Sequence, residues 1–99
     1  MFQNEINDLA SKFNLEPSKQ HQGSDNLFRF YLTQDLPGNR YLQASVKYPG
    51  DAADLNGNVH AHVGLYGERK LADDGTASYD SVEAAVLDIV TRFERLRSH

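Results

Sequence analysis

Apolar residues recur at three- and four-residue steps through the last stretch of the chain, D-S-V-E-A-A-V-L-D-I-V-T-R-F-E-R-L. Val82, Ala85, Val86, Ile89, Val90, Phe93 and Leu96 share one face of a 3.6-residue helix, which predicts a helix from Asp80 to about Leu96. Asp80 reads as its N-cap, with Glu83 three residues on as the reciprocal member of a capping box. Arg92, Arg95 and Arg97 suit the negative end of the helix dipole. A shorter amphipathic helix is predicted at the other end, over Met1 to Asn14, from Phe2, Ile6, Leu9, Ala10 and Phe13. Asn14 can close it in a left-handed conformation, and Pro17 prevents continuation.

Between the helices the period changes from 3.6 to 2. Ser18 to Asn26 is polar and aperiodic and reads as a loop. Leu27 to Thr33 is rich in aromatic and β-favouring residues, with Phe28, Phe30 and Leu32 on one face and Arg29, Tyr31 and Thr33 on the other. Leu36-Pro37-Gly38-Asn39 is a type II turn signal. Tyr41 to Tyr48 alternates again, placing Leu42, Ala44, Val46 and Tyr48 opposite Tyr41, Gln43, Ser45 and Lys47. After a long turn-rich connection, Pro49 to Asn58, a third strand puts Val59, Ala61, Val63 and Leu65 inward and His60, His62 and Tyr66 outward. It ends near Tyr66 or runs on toward Leu71, and Ala72 to Thr76 reads as a turn. The expected fold is one α+β domain over residues 1–99. It has two layers in α-β-β-β-α order, a three-stranded antiparallel sheet with both helices packed on one face. Its core would hold Phe28, Phe30, Leu42, Val46, Val59, Val63, Val86, Ile89, Val90 and Phe93.

This order, with Pro37-Gly38-Asn39-Arg40-Tyr41 between two strands and Glu83-Ala84-Ala85 entering the last helix, resembles the double-stranded-RNA-binding domain. The resemblance implies that topology and, as one reading, an RNA- or DNA-binding module. Such domains hold phosphates with a lysine-rich cluster where the last helix begins. Tyr79, Asp80, Ser81 and Glu83 stand there instead, and two acids would repel a phosphate backbone.

Composition narrows the classes. The chain has 99 residues, 10 basic and 14 acidic side chains and a formal charge of -4, so the basic excess of a phosphate-binding surface is missing. No cysteine is present, which removes disulfides and thiolate metal sites and suits a reducing, cytoplasmic setting. The first twenty residues show no signal-peptide pattern, and no apolar run reaches the ~18 residues of a membrane span.

Candidate chemistry concentrates on the sheet face that the helices would leave open. Arg29, Tyr31, Tyr41, Gln43, Ser45, Lys47, His60, His62 and Tyr66 are expected there, with Arg40 in the adjoining turn. Tyrosine and arginine bring large contact area with a polar tip, the composition of a protein-binding surface; strand aromatics can also stack bases. His60 and His62 could share a metal ion, but a site needs further ligands, and His21, His99, Asp51 and Asp54 lie at no motif spacing. Ser45, Ser78 or Ser81 could meet a histidine in space, although no nucleophile elbow or phosphate loop occurs. Acidic loops at Asp51, Asp54, Asp73 and Asp74 could face a basic partner. The outer strands carry few charges, which allows homodimerisation or strand addition at a sheet edge. The resulting expectation is a small non-enzymatic binding protein of inhibitor, adaptor or immunity type, needing no cofactor and acting on another protein. Nucleic-acid binding is the second reading, and a metal-dependent or hydrolytic enzyme at His60 and His62 is the third.

Overall fold

Tyr48, Phe30, Phe93, Ile6, Leu32, Leu42 and Leu65 lie among the largest side chains sealed from water, and they come from strands and helices alike. The structure is a computed structural model that describes residues 3–50 and 55–98. Its elements are α1 (Gln3–Lys12), β1 (Glu16–Pro17), β2 (His21–Gln22), β3 (Leu27–Leu36), β4 (Arg40–Pro49), β5 (Val59–Tyr66), β6 (Lys70–Tyr79) and α2 (Val82–Arg97). All strand pairings are antiparallel, in the order β1-β3-β4-β5-β6, with β2 also on the outer side of β3.

The expected three-stranded sheet is therefore wrong: the sheet has six strands, four of them long. Residues 72–76, expected to turn, lie within β6. Their alternation was hidden because β6 carries irregularities opposite Val63/Gly64 and Leu65/Tyr66, where an extra residue shifts the parity of all that follows. The fourth long strand also ends the topological likeness to the double-stranded-RNA-binding domain. The expected loop at Ser18–Asn26 contains β2 and helps form an interrupted strand along β3. Between its two pieces, the Ser18 backbone N–H donates to the Tyr31 carbonyl, and the Tyr31 N–H donates to the Ser18 hydroxyl.

The parity of the three expected strands holds. Phe30, Leu32, Leu42, Ala44, Val46, Tyr48, Val59, Ala61, Val63 and Leu65 are buried beneath the helices. They form one cluster with Ile6 and Ala10 of α1 and with Val82, Ala85, Val86, Ile89, Phe93 and Leu96 of α2. α2 crosses β4, β5 and β6, and α1 lies beside it near β1. Removing apolar area from water on this one face supplies the main drive for folding. Asn14 adopts φ 57°, the left-handed end expected for α1. The cap of α2 is Ser81 rather than Asp80: its backbone is extended and its hydroxyl accepts the N–H of Ala84. Phe2 and the 51–54 segment of the long connection lie outside the described residues.

Candidate functional site

Strand register lays the uncovered face out in rows. Tyr41 is opposite Asp35 on one side and Tyr66 on the other, and Tyr66 faces Lys70. The next rows join Thr33, Gln43, Gly64 and Asp73, then Tyr31, Ser45, His62 and Thr76, then Arg29, Lys47, His60 and Ser78. Eight of the nine residues expected to bind a partner (Arg29, Tyr31, Tyr41, Gln43, Lys47, His60, His62, Tyr66) thus share this face. Arg40 does not belong to it. It pairs with Leu36, on the parity of the covered face, and donates from Nε to the Pro37 carbonyl at 3.2 Å.

The aromatic centre is the pair Tyr41–Tyr66, stacked with ring centroids 5.4 Å apart and planes inclined by 19°. Gly64 explains why Tyr66 lies flat. A Cβ at that glycine would fall 2.8 Å from the Tyr66 hydroxyl and 2.9 Å from its ring, so the phenol occupies the space a side chain would take. The Lys70 ammonium stands 6.0 Å from the Tyr66 centroid, in cation–π range. Farther along, His21 of β2 stacks on Tyr31 at 6.3 Å.

Asp73 is the electrostatic hub. It accepts from Lys70 Nζ at 2.5 Å, from the Gly75 N–H at 2.7 Å, and lies 2.9 Å from His62 Nε2. Those hydrogen bonds, Lys70 foremost, hold its carboxyl far below the usual carboxylate range. The Ser78 hydroxyl sits 3.1 Å from His60 Nδ1, so one of the serine–histidine meetings considered from sequence does occur. Arg29 is committed to the fold: it pairs with Asp25 at 2.7 Å and packs against Gly23, while its Nε is buried without a partner.

A second cluster, which sequence reading missed, ties α2 to β6. Arg92 is only 2% exposed, and all five of its N–H donors are used. Nε donates to Asp74 Oδ2 at 2.7 Å, Nη1 to the Ala61 carbonyl and the Tyr79 hydroxyl, and Nη2 to the carbonyls of Asp74 and Gly75. Arg95 adds a second cation to Asp74 at 3.0 Å. The hydrogen bond from Arg92 above all keeps the Asp74 carboxyl below its ordinary range. Burial, reinforced by Asp88, raises the Tyr79 phenol. The signal was available: Arg92 falls three residues after Ile89 and four before Leu96, on the apolar stripe itself.

Asp73 and Asp74, grouped from sequence as acidic-loop residues, both face cations within the fold; Asp51 and Asp54 lie outside the described residues. Among the described residues, no group of three or more histidines or carboxylates is close enough to hold a metal ion, and His99 lies outside them. No described helix is long and apolar enough to cross a membrane. No protein-family model, curated protein or solved structure matches the chain.

Proposed function

We propose that this chain is a non-catalytic binding protein that docks another protein on its uncovered sheet face. The observation that carries this reading is the Tyr41–Tyr66 stack, 5.4 Å between centroids, on a face that neither helix covers. Rings already held flat lose little conformational freedom when a partner covers them, and their hydroxyls keep a polar contact available. Lys70 lies beside them, and His62 and His60 follow in rows farther along the same face with donors and acceptors, the mixed composition of a binding patch.

Two observations support the face over the sheet edge. β6 is the open edge, but its register is broken twice. The Asp74 and Gly75 carbonyls are also held by Arg92, which withdraws acceptors that an added strand would need. Catalysis has weaker support. His60 contacts Ser78 on an open surface, while Asp73, the carboxylate that could orient an imidazole, is engaged by His62 and Lys70.

The test is capture from lysate with the tagged chain, in parallel with Tyr41→Ser, Tyr31→Ser and, as a helix-face control, Leu87→Ser. The proposal expects a protein retained by the wild type and by Leu87→Ser, and lost from the tyrosine variants at unchanged thermal midpoints. Equal retention by all four chains would sink it.

A further inference from the structure

The two irregularities of β6 decide which of its side chains reach the uncovered face. Val63 pairs with Gly75 and Gly64 with Asp73, so Asp74 is an extra residue; Leu71 is a second, between Lys70 opposite Tyr66 and Ala72 opposite Leu65. Without the extra residue at 74, Asp73 would fall opposite Leu65 and take the covered parity. With it, Asp74 reaches Arg92 on the covered side, and Asp73 meets His62 and Lys70 on the open one.

His62 Nε2 is the informative atom of this cluster. It lies 2.9 Å from Asp73 Oδ1 and 3.5 Å from Lys70 Nζ, a carboxylate and an ammonium that make opposite demands on it. A bare lone pair 2.9 Å from a carboxylate oxygen would be repelled, so Nε2 carries a proton and donates to Asp73. Nδ1 is then the atom that takes up the second proton, and histidine is the side chain that ordinarily changes charge between about pH 5 and 8. Asp73 stays ionised through that range, because Lys70 foremost, then the Gly75 N–H and His62, hold its carboxyl far below the usual carboxylate range. Of the other titratable or charged groups on this face, Tyr31 of β3 shares the row of His62, and Arg29 (paired with Asp25), Lys47 and His60 fill the next row. Asp35, Tyr41 and Tyr66 stand at the other end, and Glu16 and His21 lie beyond β3.

We infer that His62 is a proton-operated release for Lys70: when Nδ1 takes up a proton, the imidazolium keeps Asp73 and the ammonium leaves it for water. Two unit charges 3.5 Å apart repel one another, and here both draw on a single carboxylate. The imidazole is a rigid ring close to its strand, whereas the ammonium rides on a flexible four-carbon stem, so the lysine is the one to move. Its side chain is already 43% exposed, and water can take up its donors. Lys70 also stands over Tyr66, so the change occurs beside the Tyr41–Tyr66 stack. In neutral solution that corner is a closed Lys70–Asp73 pair with an uncharged imidazole against it; in acid it carries one positive charge more and a loose ammonium. This control acts on the binding face proposed above, and its effect on a partner rests on that reading; the release itself is a property of the chain alone.

Nuclear magnetic resonance provides the test, as a titration of the isotopically labelled chain from about pH 8 to pH 5. The side-chain signals of Lys70 should move in one step that shares its midpoint with the His62 imidazole. The step should persist in His60→Gln and vanish in His62→Gln. It should vanish in Asp73→Asn as well, where His62 still titrates but Lys70 has no carboxylate to leave; the Asn amide oxygen can still accept the Gly75 N–H. Lys70 signals that stay flat while His62 titrates overturn the inference, and that result needs no variant. So does a Lys70 step of equal size in His62→Gln or in Asp73→Asn. No partner enters the measurement, so a failed lysate capture removes the binding face and leaves the release standing, and a flat Lys70 titration does the reverse.

Discussion

Asp74 and Arg92 show how much one pair of side chains can hold in place. Arg92 is sealed between α2 and β6, so removing its carboxylate partner leaves a buried charge with only neutral acceptors. Asp74→Ala is expected to cost roughly 3 kcal/mol, read from chemical denaturation. The pH dependence follows in sign. The folded-state pKa of Asp74 lies below its unfolded value, with the Arg92 hydrogen bond as the leading stabilising contact. The stabilisation is therefore complete above the unfolded value of about 3.9 and is lost as pH falls below it. The thermal midpoint of the wild type should drop between pH 5 and pH 2 by more than that of Asp74→Ala. Parallel curves would show that this pair contributes nothing to the acid limb. Sequence alone left Arg92 as a dipole-complementing cation: its place on the apolar stripe marks it as buried, but its partners, Asp74 and the carbonyls beside it, lie on a strand whose irregular backbone no side-chain pattern reveals.

At the scale of elements, legibility followed regularity. β4 alternates without interruption, and its inward and outward residues were assigned correctly from Leu42 to Tyr48. β6 was missed because Asp73-Asp74-Gly75 looks like a turn, with Gly75 at φ 77°, and because the extra residues break the period. The two-residue strands β1 and β2 are too short to carry a period at all; register with β3 defines them. The start of α2 was misplaced by one residue, since Asp80 and Ser81 are both competent caps and only the extended backbone of Ser81 distinguishes them. Ser81→Ala should accordingly cost about 1 kcal/mol and Asp80→Ala much less. Urea titration followed by helical circular dichroism compares them, and a larger loss for Asp80→Ala would reassign the cap.

For the whole molecule, the sorting of apolar and polar residues to opposite sheet faces was readable, and it decides which side chains the uncovered face presents. The number of strands was not readable, and it matters because it decides which edges remain. β1 and β2 cover β3, and β6 is left open but irregular and gripped by α2. The chain should therefore sediment as a monomer at concentrations up to about 100 μM, well above the range of a stable dimer. A dimer dispersed by substitutions in β6, such as Thr76→Pro, would instead favour pairing at that edge.

Tyr41, half of the aromatic stack, carries the central proposal, that a partner sits on the face without helices. Its most direct measurement is hydrogen exchange of the chain alone and bound to the protein it captures. Slowed exchange is expected in β4 around Tyr41 and in β5 around Tyr66, the strands that carry the stack, with the outer surface of α2 unchanged. Protection confined to α1 and α2, with β4 and β5 exchanging as before, would contradict the account.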